Sequence, residues 1–210
     1  MDAKEYLLVF TKKHIYYWNE NTPGYEEVFE VVGVGVFCTE WHTRTFNDKV
    51  IATNNVDKVL EWYPAIAGGL FLPLDTTSGI NYGTAETPEY LTKAKYVEVF
   101  ENYLFLGYTY ENGASKPQNI RWSDLLDEAD WKTGDAGGAT IGGRDFVTGI
   151  INYKGFLIIF KEESIHQQWL TEASTDIFNN QPLSTRLGCK ASHSIVMDDK
   201  ENLYFFASDG

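Results

Sequence analysis

Tyr6-Leu-Leu-Val-Phe-Thr-Lys-Lys-His-Ile-Tyr-Tyr-Trp18 reads as two short strands around a polar turn. An apolar run, a break of Thr and Lys, and a second run closing on an aromatic together mark a β-hairpin, because flat and β-branched side chains pack well on a pleated surface. The design returns further along the chain. Val50-Ile-Ala-Thr-Asn leads through a turn to Lys58-Val-Leu-Glu-Trp62, and Leu104-Phe-Leu-Gly-Tyr leads to Asn119-Ile-Arg-Trp122. Leu157-Ile-Ile-Phe-Lys leads to Ile165-His-Gln-Gln-Trp169. In three of the four, twelve residues separate the strand start from its tryptophan (6 to 18, 50 to 62, 157 to 169). In the other, Glu111–Pro117 lengthens the loop. The tryptophans lie 44, 60 and 47 residues apart.

A further strand precedes most of these hairpins: Thr43–Phe46, Lys95–Phe100 and Phe146–Tyr153. A short piece follows them, such as Tyr25–Val32 or Ala129–Lys132. Four strands in roughly 45 residues is the content of a propeller blade. The expected fold is therefore all-β, a β-propeller of four-stranded blades filling residues 1–210 as one domain. It would hold about four to five blades, the first and last incomplete, so the chain reads as a piece of something longer. A β-sandwich and a short stack of meanders are the rival architectures, and the sandwich has no reason to place a tryptophan at the same slot four times. Trp18, Trp62, Trp122 and Trp169 are expected at equivalent positions. Leu104, Phe105, Leu157, Ile159, Leu203 and Phe205 are expected in central strands. Helical periodicity is confined to Ser123–Trp131, where Ser123 could cap a turn or two.

The formal net charge is -13, and the 17 basic residues are scattered singly apart from Lys12-Lys13. A nucleic-acid groove needs clustered Lys and Arg to displace counterions, so the composition argues against binding DNA or an anionic membrane surface. With 43% hydrophobic and 15% aromatic residues, the chain has the means to bury a core. Lys4 and Glu5 interrupt any apolar signal region, Val31–Cys38 and Phe156–Phe160 are too short to span a bilayer, and there is no N-x-S/T sequon. The expectation is a soluble protein without membrane insertion. Cys38 and Cys189 match no metal or redox spacing and read as buried free thiols, a single disulfide being the other option.

Chemistry-bearing residues do not assemble into a site. His14, His42, His166 and His193 lie far apart, with no pair at the close spacing common in zinc sites. No G-x-S-x-G elbow occurs, and the acidic pairs Glu162-Glu163 and Asp198-Asp199 fall in expected turns. No catalytic, cofactor-binding or metal residue is therefore assigned, and an enzyme is not expected. The segment Gly134–Asp145 lacks a P-loop Lys and reads as an inter-blade loop. Asp135 and Asp145 are a weak pair for calcium.

Three stretches carry a resemblance. Phe46–Lys58 with Trp62 is one, and Tyr96–Gly107 with Pro117–Asp124 and Asp130-Trp131 is the next. Phe156–His166 with Leu187-Gly-Cys189 and Tyr204–Gly210 is the last. Each resembles propeller blades of the tail-hub, nozzle or stabilisation proteins of short-tailed bacteriophages and related prophages. Together they cover most of Phe46–Gly210, while residues 1–45 join only through the repeat. The resemblance implies a structural virion component of the tail, soluble in the host cytoplasm before assembly, that contacts other tail proteins and self-associates into a ring below the portal. Those proteins are several times longer than this chain. An acidic wall would suit a conduit past which DNA slides. A glycan-binding propeller is the alternative function. Sugars stack on Trp and Tyr faces, and Ser208-Asp-Gly210 resembles part of the Asp-box turn of sialidase-like propellers.

Overall fold

The computed structural model describes residues 5–65, 69–75, 78–171 and 176–208. The architecture is all-β. Sheet I contains β1 (Leu8–Phe10), β2 (His14–Asn19) and β3 (Gly24–Glu30). Sheet II contains β4 (His42–Phe46), β5 (Lys49–Thr53), β6 (Leu60–Trp62) and β7 (Leu72–Pro73). Sheet III contains β8 (Ile80–Asn81), β9 (Tyr90–Phe100), β10 (Tyr103–Glu111), β11 (Ala114–Trp122) and β12 (Gly137–Thr140). Sheet IV contains β13 (Val147–Tyr153), β14 (Phe156–Lys161), β15 (Ile165–Leu170) and β16 (Phe178–Ser184). Sheet V is the hairpin β17 (Val196–Met197) and β18 (Leu203–Tyr204). Each strand pairs antiparallel with its neighbours in sequence, so every sheet is a simple meander.

Turn chemistry sets this pattern. Asn47-Asp48, Glu101-Asn102, Asn112-Gly113 and Lys154-Gly155 each connect two strands with both residues at positive φ. That is the two-residue turn whose twist matches the flanking strands, and Asn, Asp and Gly tolerate it best. Three of the four join the first long strand of a sheet to the next one, at the same place in sheets II, III and IV.

Alternation along the second of those strands then distributes side chains to both sides. Leu104 and Leu106 of β10 pack with Ile51 of β5 and Val97 of β9 between sheets II and III. Phe105 points the other way, into a cluster with Trp122, Leu157, Ile159 and Phe178 between sheets III and IV. Ile158 and Phe160 of β14 meet Ile195, Leu203 and Phe205 next to sheet V. Trp62, Ile15 and Phe71 fill the space between sheets I and II. Each middle strand is apolar on both faces because a sheet covers each side of it. Leu157→Ala should cost about 2–5 kcal/mol in urea unfolding. A loss under about 0.5 kcal/mol would mean that β14 does not face this core.

Charged groups fasten the sheets together as well. Arg44 of β4 grips buried Glu98 of β9 through two hydrogen bonds of 2.6 and 2.7 Å. Lys49 of β5 reaches Glu128, in the β11–β12 connection, at 2.6 Å. The Val32 amide donates to Asp57 Oδ1 at 3.0 Å, tying the end of sheet I to the β5–β6 turn.

Four expectations change here. Ser123–Trp131 forms turns and an Asp124–Asp127 bridge rather than a helix. Ser123 extends the strand ladder instead of capping, since its amide donates to Leu104 O and its hydroxyl accepts from the Leu104 amide. The closing strand of sheet III is Gly137–Thr140, not Ala129–Lys132, so Gly134–Asp145 is more than a loop. Leu203 lies in a two-residue edge strand and Phe205 just beyond it, both half-buried rather than central.

Candidate functional site

Trp18, Trp62, Trp122 and Trp169 lie on β2, β6, β11 and β15, each the next-to-last strand of its sheet. Their faces differ. Trp62 packs towards sheet I and Trp122 towards sheet IV, and both are buried. Trp18 and Trp169 are half-buried and take no part in the main clusters. The indoles of Trp62 and Trp122 donate to Gly69 O and Asp135 O, at 3.0 and 2.8 Å. Both acceptors sit in the connection to the last strand. These tryptophans therefore hold sheet edges, which is packing rather than chemistry.

The histidines are not all apart in space. His42, at the start of β4, and His193, in a 3-10 turn at Ser192–Ser194, stack with ring centroids 5.7 Å apart and an interplanar angle of 7°. Beside both rings, on the Nε2 side, stands Glu40. One carboxylate oxygen receives Lys95 Nζ at 2.8 Å; the other lies 2.6 Å from His193 Nε2 and accepts from the Ser192 hydroxyl at 3.2 Å. This knot joins positions more than 150 residues apart. Beside it lies a concavity of about 400 Å³ formed by Phe10, Lys12, Trp41 and His193, among others.

Burial pushes the His42 imidazole down to about 4, opposed by the neighbouring Glu40 carboxylate and reinforced by His193, Lys95 and Arg44. Burial acts most strongly on the Glu40 carboxylate and pushes it up, but the Lys95 hydrogen bond together with the charges of Lys95, His42 and His193 holds Glu40 below the usual range. The sign follows by linkage. The unfolded chain binds the His42 proton near pH 6.5 and the folded chain does not, so stability falls as pH drops below about 6.5. Protonation of Glu40 at lower pH acts in the same direction. Allowing for partial exposure, the His42 share is on the order of 2 kcal/mol between about pH 7 and about pH 4.5. Urea unfolding across that range checks it. His42→Phe, which keeps the ring against Tyr96, should flatten the slope, and an unchanged slope would refute the assignment.

The second polar site lies between sheets III and IV. Its centre is Lys161, the last residue of β14, which is 0% exposed. Its ammonium touches Ile141 O at 3.2 Å, Gly142 O, and Asp145 Oδ1 at 3.0 Å. The other Asp145 oxygen accepts from the Ser164 hydroxyl at 2.8 Å and the Glu163 amide at 3.1 Å. Burial opposes the charge on Asp145, but these hydrogen bonds, Lys161 first, hold it below the ordinary carboxylate range. Ser164 Oγ in turn stands 3.4 Å from His166 Nε2. Over this network lies a groove of about 530 Å³ between the Gly142–Asp145 segment and strands β15 and β16.

The remaining candidates have structural partners. His14 sits 3.1 Å from Glu27. Asp135 accepts from the Tyr103 hydroxyl at 2.8 Å, so it and Asp145 serve different contacts and do not converge. Glu162 accepts from the Phe146 amide, and Glu163 is exposed beside Lys190. Asp198 closes its own turn by accepting from Lys200 and Asn202 amides. Cys38 and Cys189 are buried and free. Among the described residues, no group of three or more His, Cys, Asp or Glu could hold a metal ion, and no helix is long and apolar enough to cross a membrane.

No family model and no curated protein matches the sequence. Among solved structures, the chain is similar to the extracellular domain of a putative one-component system from B. thetaiotaomicron. The TM-score is 0.52 at 14% identity, and the match covers 98% of this chain and 24% of that one. The chain thus spans about a quarter of the structure it matches, and at this identity the likeness is one of fold.

Proposed function

We propose that the sheets are successive blades of a β-propeller, and that the chain acts by holding shape and contacting neighbouring subunits rather than by turning over a substrate. The resemblance of its blades gives the setting: a structural component of a short-tailed phage tail, of the hub, nozzle or stabilisation kind. One observation carries this reading. Buried charged groups between sheets fasten one sheet to the next, as Arg44–Glu98 and Lys49–Glu128 do, and the Lys161 ammonium reaches the Ile141 and Gly142 carbonyls just past β12. The ordered succession of antiparallel meanders, two of them four-stranded, supports the propeller. Exposed apolar side chains flank the stack at both extremities, Leu7, Tyr25 and Phe37 on one side and Met197, Tyr204 and Phe206 on the other. Adjoining blades or subunits would cover them. The net charge of -13 fits a wall that does not retain DNA.

Sedimentation of the parent protein, together with electron microscopy of particles that contain it, tests the reading. A ring in a virion tail supports it. A strict monomer found in no particle, or one that hydrolyses a small ligand, overturns it.

A further inference from the structure

Strand β1 lacks a neighbour that its counterparts have. In sheets II, III and IV the strand leading into the tryptophan strand is β5, β10 or β14, and each is flanked by an antiparallel first strand, β4, β9 or β13. In sheet I the strand leading to Trp18 is β1, and it pairs only with β2. The register tells which of its groups face outward. The Trp18 amide donates to Leu7 O and the Thr11 amide to His14 O, so Leu7, Val9 and Thr11 sit in the hydrogen-bonded pairs with β2. The amides and carbonyls of Leu8 and Phe10 therefore point away from β2, and they have no partner among the described residues.

Side chains show the same gap. Leu8 and Phe10 face the cluster between sheets I and II, yet both stay half-buried. On the counterpart strands, Ile51, Leu104 and Leu157 are fully buried. A concavity of about 400 Å³ lies beside Leu8, walled by Trp62 and Pro64, and another of about 400 Å³ lies beside Phe10, walled by Trp41. Asp48 of sheet II bounds the first and His193, next to sheet V, bounds the second. The slot thus takes one strand and not the edge of a second folded copy. Two outward amide–carbonyl pairs, two residues or roughly 7 Å apart, match the repeat of an extended chain. A residue placed opposite Leu8 or Phe10 shares its face, so its side chain enters the neighbouring concavity, while the residue between turns outward with Val9.

We propose that β1 takes up an extended segment of a partner chain, antiparallel as β4 is to β5, with apolar side chains at the two positions opposite Leu8 and Phe10. The inference rests on the reading that the chain works by contacting its neighbours. Its test uses the isolated chain, so its failure would leave ring formation by the parent protein to be judged separately. The 210-residue chain is titrated by NMR with the blocked peptide Lys-Ile-Thr-Ile-Thr-Lys, and with the same peptide N-methylated at both isoleucines. The Leu8 and Phe10 amides should exchange quickly in the free chain and about tenfold more slowly at saturating peptide. N-methylation removes the two donors aimed at β1 and should weaken binding by about tenfold. Leu8→Pro removes an outward donor but no β1–β2 bond, and should weaken binding severalfold. If that variant does not fold, the N-methylated peptide, which leaves the protein untouched, keeps the test valid. The proposal fails if the unmodified peptide does not bind, or if both peptides bind equally. It also fails if the two amides are already slow to exchange in the free chain, as pairing between two copies would make them.

Discussion

Asp145→Ala destabilises the fold by about 3–5 kcal/mol in urea-induced unfolding. The reason lies in its partner. Lys161 is fully buried, and among the described residues the partners of its ammonium are Asp145 and the carbonyls of Ile141 and Gly142. Removing the carboxylate leaves an uncompensated charge inside the protein, which costs far more than the pair itself contributes. The same substitution frees the Ser164 hydroxyl and the Glu163 amide, which loosens the β14–β15 turn. Lys161→Met should cost clearly less, because it takes away the charge and its need for a counter-ion together. The double substitution should then lie closer to Lys161→Met than to the sum of the two. If Asp145→Ala cost less than about 1 kcal/mol, the ammonium would have to reach water by another route.

Phe105→Ala carries the other large effect, again about 3–5 kcal/mol. Its ring is fully buried and stands 5.7 Å from Trp122, 6.1 Å from Phe100 and 5.1 Å from Phe178. Phe178 belongs to the outermost strand of sheet IV, so this aromatic group carries the contact from one sheet to the next. Truncation removes the transfer free energy and opens a cavity that rigid neighbouring strands cannot close. Phe156→Ala, at a partly exposed strand start, is the internal comparison and should cost about 1 kcal/mol or less. Equal losses at the two positions would contradict the stacked arrangement.

What could be read from the sequence follows from the range of the forces involved. The hairpins were legible because turn residues and apolar runs act locally. Strand alternation also gave the buried middle positions Leu104, Phe105, Leu157 and Ile159. The tryptophans marked the correct strand but not the face. A shift of one residue reverses a side chain across a sheet, which is how Trp62 and Trp122 come to point oppositely. Strand β12 stayed hidden because Gly-Gly-Ala-Thr has no alternation and becomes a strand only by pairing with β11. The acidic Ser123–Trp131 segment looked helical because the competing partner of Ser123 is Leu104, nineteen residues away. The candidate sites were illegible for the same reason. Glu40, Lys95 and His193 meet only once separate sheets have come together, and Asp145, Lys161 and His166 meet only once the β13–β14–β15 meander has formed.

The fastening of sheet to sheet has a consequence for the order of the sheets along the chain. Sheets with the same backbone plan and the same junction charges would be interchangeable. Here the backbone plan recurs, but the charges at the junctions are private: Glu98 is met by the arginine of the sheet before it, and Glu128 by Lys49 of the sheet before it, which also holds Glu61 of its own sheet. A gene in which two of these units were swapped would still encode good hairpins, yet it would place a carboxylate against a surface with no cation to meet it. The order of the sheets is thus written into their ion pairs, and a rearranged chain would have to be repaired one junction at a time.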